Sequence, residues 1–423
     1  MLEHSETDTI VQQQEWLIGN EGNTTYRPMT IASDHRITTM SLSPRVSGTH
    51  FARQFGLAAC ITVLLTAPSA TAFGQEEAPT TPLPIDPSDV DTYVAVPDPR
   101  PIRKFAFQRF YTKDKYQRLI TFYLSKPKHR ESSPASGETK PEKRLPLAIC
   151  VQGSGSQSIF LRYQGLIASG GPESVLLRDF GDQVRVLVVE KPGVEFLVQP
   201  SRPGSAEDGP EEFNREFTLQ RWVEAINAAA EAASRLPEID CDQVLALGHS
   251  EGAQVACTLA AVNPRITHVA AMAGGGPTQL HDLIQFARRG DMYDPNQTPK
   301  QRVEALLADW KKVMDAPRAH DQFILGHSHL RWSTFCAVSP IDALKRTRAR
   351  VFVAQGTADT NSLPESAEML YAELLARGRD VTYHRVENGD HAFMTPDDST
   401  GQGWTRTVGK AVEWFLADAA NKS

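Results

Sequence analysis

From residue 145 onward the chain alternates between two hydrophobic patterns. Short runs are apolar at nearly every position, over 145–151, 184–189, 244–247, 266–272 and 351–354. Between them lie longer stretches with apolar residues three and four positions apart. In 217–236, for instance, Leu219, Trp222, Val223, Ile226 and Ala230 fall on one helical face. Stretches 253–261, 363–375 and 404–415 keep the same period. A strand covered on both sides needs apolar side chains at odd and even positions alike. The runs therefore predict a parallel sheet, and the periodic stretches predict the helices that cover it. The fold class expected is α/β, with a doubly wound, mostly parallel sheet and right-handed crossovers.

Two segments depart from the alternation. Residues 103–111 and 118–124 are rich in aromatic and β-branched side chains around Lys113-Asp114-Lys115, which predicts an antiparallel N-terminal hairpin. A polar loop over 126–144 follows it. Residues 274–344 are charged and helix-prone, especially 279–289 and 299–313. An insertion there is expected to form a helical lid above the C-terminal edge of the sheet.

The N-terminal portion has another character. The apolar run 55–67 follows Arg45 and Arg53 and precedes Ala70-Thr71-Ala72. A cationic start, a short apolar core and a small-x-small site are the marks of a secretory leader. Met40 gives that leader an ordinary length and is the expected true start, with cleavage after Ala72. Cys60 lies at the wrong end of the apolar run for a lipoprotein site. Residues 73–102 begin rich in Pro, Glu and Asp and read as an extended tail. The expected location is therefore secreted or periplasmic.

Composition narrows the class of partner. Lys and Arg number 44 against 51 Asp and Glu, a net charge of −7, so no bulk field attracts nucleic acid. No apolar run reaches the ~18–20 residues of a membrane-spanning helix. Beyond Cys60, four cysteines remain, Cys150, Cys241, Cys257 and Cys336. Export permits a disulfide among them, and spacing alone does not assign one.

Candidate chemistry centres on Gly248-His249-Ser250-Glu251-Gly252, a G-x-S-x-G pattern between an expected strand and an expected helix. The turn there is so sharp that side chains on either side of Ser250 would collide with neighbouring elements, hence the glycines. Ser250 is thereby presented at a helix N-terminus, where amide groups and the dipole favour negative charge. Gly326-His327-Ser328-His329 echoes the pattern but lacks the second glycine and a preceding strand, so Ser328 is set aside. His320, His327 and His329 lack a carboxylate at metal-ligand spacing and are expected to be solvated lid residues.

A serine nucleophile needs a base, and the base an orienting acid. Run 351–354 leads into Gly356-Thr357-Ala358-Asp359, and 381–386 leads into Glu387-Asn388-Gly389-Asp390-His391. Asp359 and His391 thus fall in the loops after the last two strands, in the order Ser, Asp, His. His249 is too close to Ser250 to aim at its tip, and Asp390 is expected to point away from His391. Oxyanion donors are expected from the N–H of Glu251 and of Ser154, in the loop Gln152-Gly153-Ser154-Gly155-Ser156. The G-x-x-x-x-G-K pattern of a phosphate loop is absent. Glu190-Lys191 to Glu195 border the same edge, either shaping a pocket or forming rim ion pairs.

Over about residues 103–420 these features resemble the α/β-hydrolase superfamily. Gly248-His249-Ser250-Glu251-Gly252-Ala253 is similar to the elbow of bacterial esterases and serine aminopeptidase-like members. Gly356-Thr357-Ala358-Asp359 is similar to prolyl oligopeptidase-type and dienelactone hydrolase-like proteins. Many relatives carry His-Gly where this chain has Gln152-Gly153. The resemblance implies a Ser250–His391–Asp359 triad with no cofactor and no metal. It also implies a hydrolase for small-molecule esters or short peptides that forms an acyl-enzyme. Carboxylic ester cleavage is the first expectation and peptide or amide cleavage the alternative. A non-catalytic binding protein on the same scaffold is the third.

Overall fold

The parallel part of the sheet starts where the continuous apolar runs start. The computed structural model describes residues 85–127 and 144–420, apart from the single positions 164, 203 and 399. The expected leader, the first part of the tail and most of the polar loop lie outside the described residues. The strands are β1 (Val96–Pro97), β2 (Phe107–Lys113), β3 (Leu119–Ser125), β4 (Leu145–Val151), β5 (Phe160–Tyr163), β6 (Leu166–Ser169) and β7 (Arg185–Val189). They continue with β8 (Ile239–His249), β9 (His268–Met272), β10 (Phe323–Ile324), β11 (His327–Ser328), β12 (Arg350–Gly356) and β13 (Val381–Val386). One sheet has the order β1-β2-β3-β7-β4-β8-β9-β12-β13. Pairing is antiparallel from β1 to β7 and parallel from β7 to β13.

Period-2 alternation divides each central strand between two cores. In β4, Leu147, Ile149 and Val151 face one side of the sheet, while Ala148 and Cys150 face the other. In β8, Val244 and Ala246 part in the same way from Leu245 and Leu247. The first face is covered by α3 (Leu219–Ala233), α4 (Glu251–Val262) and α9 (Pro364–Ala376), which follow α1 (Pro172–Asp179) and α2 (Glu211–Glu216) along the chain. The second face is covered by α1 and α10 (Gly403–Ala420). Burying a Leu or Ile on either side contributes about 1.5–3 kcal/mol, which is why runs such as 244–247 are apolar at every position. The edge strand β13, Val-Thr-Tyr-His-Arg-Val, is only half-buried.

The insertion between β9 and β12 holds α5 (Gln279–Arg289), α6 (Pro299–Asp315), the β10–β11 hairpin, α7 (His329–Phe335) and α8 (Pro340–Leu344). Helix α6 starts with Pro299 at its first position and a Thr298/Gln301 capping box, both visible in the sequence. Leu283, Phe286, Met292, Leu306, Val313 and Trp332 form a small core of the insertion's own. Its final stretch packs elsewhere: Phe335, Ile341, Ala343 and Leu344 join the main core beside α4. Gln254 secures that junction by donating to Phe335 O at 2.7 Å and Val338 O at 2.9 Å. The β5–β6 hairpin, too short to leave a pattern, was not expected. Cys150, Cys241, Cys257 and Cys336 are all free thiols.

Because β7, β4, β8, β9, β12 and β13 run in one direction, the loops after them gather at one edge. Ser154, Lys191, Ser250, Asp359 and His391 all lie on these loops, at the place where such sheets hold ligands.

Candidate active site

Ser250 is the single residue between the end of β8 and the start of α4, with φ 57° and ψ −125°. A non-glycine residue with positive φ costs about 1–3 kcal/mol and persists only where its surroundings enforce it. Here the Ser250 N–H donates to Met272 O at 2.9 Å, and Ser250 O accepts from Ala253 N–H at 3.0 Å. A Cβ on Gly248 would stand 2.0 Å from Gly252 O, and one on Gly252 would stand 2.4 Å from Val151 O. Both glycines are therefore required by close backbone approach.

Asp359 is buried at the end of the β12 loop, and four donors surround its carboxylate. Oδ1 accepts from the amides of Asn361 (2.8 Å) and Ser362 (3.0 Å). Oδ2 accepts from Gln355 Nε2 and from His391 Nδ1, both at 2.9 Å. A carboxylate only accepts, so Nδ1 of His391 carries the proton and Nε2 of the neutral ring has a free lone pair. That Nε2 is buried and has no hydrogen-bond partner. The aspartate and histidine are thus brought together as expected, while no hydrogen bond joins Nε2 to Ser250 Oγ. Asp390 turns away, its carboxylate accepting from the amides of Ala392 and Met394.

The link between the elbow and the histidine loop runs through His249. Its Nε2–H donates to the carbonyl of His391 at 2.8 Å, and the two rings are 4.7 Å apart. Trp404 packs edge-on against it at 4.8 Å. Burial, followed by the neighbouring His391, pushes the His249 pKa down to about 3, so the ring stays a neutral donor.

Ser154, Ser250 and Glu251 line a single cleft of about 620 Å³ beneath the insertion, together with Leu283, Phe286, Leu325 and Trp332. Asn361 and Ser362, whose amides hold Asp359, line it too, whereas Asp359 and His391 do not. As the first residue of α4, Glu251 has an N–H with no acceptor inside the helix.

Several residues differ from expectation. His327 and His329 are buried rather than solvated, because the β10–β11 hairpin and the start of α7 are packed inside the insertion. Burial, reinforced by Arg331 and Lys191, holds the His327 pKa well below the usual imidazole range. Ser328 caps α7, accepting from Arg331 N–H. Glu190 and Lys191 are buried, not at the rim. The Glu190 carboxylate accepts from Ser158 Oγ at 2.5 Å and from the Ile159 amide at 3.1 Å. Burial raises its pKa to about 7.

Sequence reasoning missed Arg331, whose guanidinium donates twice to Glu251 Oε2 in a fully buried ion pair and lies over Trp332 and Phe335. The signal was weak, since 80 residues separate the partners. Removing one member of a buried pair strands the other charge, typically at a cost of about 3–5 kcal/mol. Arg331→Met is therefore expected to lower urea stability by about that amount, and the double variant Arg331→Met/Glu251→Met to recover most of it. Equal stability of the single variant and the wild type would refute the pairing.

An α/β sheet with a strained serine at one strand end, and a buried Asp–His pair delivered by the loops of the two last strands, defines the class. The sequence profile of the Alpha/beta hydrolase family matches residues 166–400, and the chain belongs to that family. No curated protein matches the chain. Among solved structures it is similar to Pyrococcus horikoshii acylaminoacyl peptidase, with 13% identity, TM-score 0.47, and coverage of 74% of this chain and 42% of that one. A Mycobacterium tuberculosis puromycin-hydrolyzing peptidase gives 13% identity, TM-score 0.48, and coverage of 75% and 40%. Est1E from Butyrivibrio proteoclasticus gives 14% identity, TM-score 0.44, and coverage of 73% and 99%. The chain thus spans about two-fifths of the length of the two peptidases.

Proposed function

We propose that the protein is a serine hydrolase that cleaves carboxylic esters through an acyl-enzyme. The observation that carries this reading is the unpartnered Nε2 of His391, on a ring whose other nitrogen is committed to a buried carboxylate. That lone pair can accept a proton, and Ser250 is the nucleophile candidate one residue from His249, which holds the same loop. Catalytic hydrogen bonds are often open without substrate and tighten in the Michaelis complex, so the relay is complete once Ser250 Oγ comes within hydrogen-bond reach of His391 Nε2.

Ser250 Oγ attacks the ester carbonyl while its proton passes to His391 Nε2. The oxygen of the tetrahedral intermediate is held by the Ser154 and Glu251 N–H groups. Collapse expels the alcohol, which takes the proton from His391, and leaves the acyl group on Ser250. Water, giving a proton to the same Nε2, then attacks the acyl carbonyl; collapse breaks the bond to Ser250 Oγ, which takes that proton back from His391, and the acid leaves. Leu283, Phe286, Leu325 and Trp332 offer apolar cover for an acyl chain. The leader-like segment before residue 73 supports export as part of this reading.

Fluorophosphonate labelling tests the proposal. The wild type is expected to label on Ser250 and the Ser250→Ala variant not at all. A wild type that never labels favours a binding protein and sinks the enzymatic reading. Rates on p-nitrophenyl acyl esters of increasing length, set beside aminoacyl and peptidyl anilides, then decide between ester and amide cleavage.

A further inference from the structure

The loop that carries Ser154 is Gly153-Ser154-Gly155, a sequence with little resistance to turning its peptide planes over, because neither glycine restrains its dihedrals. An oxyanion donor on such a loop is useful only if one peptide orientation is enforced. Lys191, two residues beyond the end of β7, lies directly beneath it. The side chain is fully buried, and Nζ donates to Gly153 O at 2.5 Å and to Gly155 O at 2.6 Å. Its ammonium group lies over Trp222 and Phe217, with Nζ 5.1 Å and 5.7 Å from the ring centres.

We propose that Lys191 is a positioning residue for the oxyanion hole, fixing the Gly153–Ser154 peptide so that the Ser154 N–H faces the cleft. The inference rests on the reading of Ser250 as nucleophile and specifies how one half of its anion site is built. In a planar trans peptide the carbonyl and the following N–H point in opposite directions. Holding Gly153 O against the buried ammonium therefore turns the Ser154 N–H away from Lys191. Ser154 itself lines the cleft, and the proposal puts its N–H on that side. Gln157 restrains the other side of Ser154 by donating from Nε2 to its carbonyl at 3.1 Å. Charge-assisted bonds are about twice as strong as neutral ones, and two of them oppose any flip of this loop. The positive charge behind the peptides also favours an anion in front of them.

Lys191→Met keeps a flexible apolar side chain beneath the loop and removes the donors. With rates taken per labelled Ser250, kcat on a p-nitrophenyl ester is expected to fall by about 10²–10³, the usual loss for one oxyanion donor, with KM within about threefold. The Ki of an alkylboronic acid, whose serine adduct places an anionic oxygen in the hole, is expected to rise by a similar factor. A variant with wild-type kcat and boronate affinity, or one whose loss lies in KM alone, overturns the proposal. If Lys191→Met does not fold, Lys191→Gln, which retains one donor, takes its place, with an intermediate loss expected and unchanged turnover again overturning it. A wild type that never labels sinks the nucleophile reading and this inference together. A labelled wild type with an unaffected Lys191 variant sinks this inference alone.

Discussion

Replacing Ser250 by alanine is expected to lower ester turnover by about 10⁶-fold, the scale seen when a hydrolase loses its attacking group but keeps its binding and anion-stabilising parts. The fold should tolerate the change. The strained backbone is set by the Met272 and Ala253 hydrogen bonds and by Gly248 and Gly252, none of which involves the hydroxyl. Steady-state hydrolysis and thermal melting check the two halves of this expectation. Turnover above about one per cent of wild type in the alanine variant would show that another group attacks.

Asp359→Asn should cost about 10⁴ in kcat, and the reason is the direction of one proton. The asparagine carbonyl is expected to take the place of Oδ1, where the amides of Asn361 and Ser362 need an acceptor. Its NH₂ group then replaces Oδ2 and points donors at Gln355 Nε2 and at His391 Nδ1. The imidazole can accept that hydrogen bond only by shifting its own proton to Nε2, and a protonated Nε2 cannot take a proton from Ser250. Because both residues are buried and the shape of the side chain is unchanged, KM should move little. A variant with wild-type kcat would remove Asp359 from the orienting role. Loss confined to KM would make it part of substrate binding instead.

Much of the architecture was legible because the sheet is buried on both faces. Run 145–151 coincides with β4, and 381–386 coincides with β13. In other expected strands only the ends moved. The apolar run 244–247 marks the centre of β8, which starts at Ile239 because Ile239-Asp240 can still pair with Leu145-Pro146 ahead of a register shift. In the hairpin, β2 begins at Phe107 rather than 103, since the strand is defined by what β3 can pair with. The insertion was visible as a break in the alternation, but not which part of it packs on the main core. Phe335 and Ile341 are apolar in either environment, and only their neighbours differ.

The site divides along the same line. Gly248-His249-Ser250-Glu251-Gly252, Asp359 and His391 stand out in the chain because each is bound to a local constraint: a turn that excludes side chains, or the first residues beyond a strand. Arg331 did not stand out, and Lys191 did so only within a charged stretch that could shape a pocket or form rim ion pairs. A lysine or arginine reads as a solvated charge until the fold closes over it. Their partners, the carbonyls of Gly153 and Gly155 and the carboxylate of Glu251, lie 36 to 80 residues away.

Sequence alone therefore determined the buried strands of the sheet, the longer helices and which turn must be glycine, because burial periodicity and steric exclusion act over a few neighbouring positions. Tertiary structure alone decided which carbonyl each buried cation grips, how the imidazole of His391 is oriented, and that His327 and His329 leave water. Those outcomes depend on the desolvation and pairing of groups brought together only when the sheet assembles.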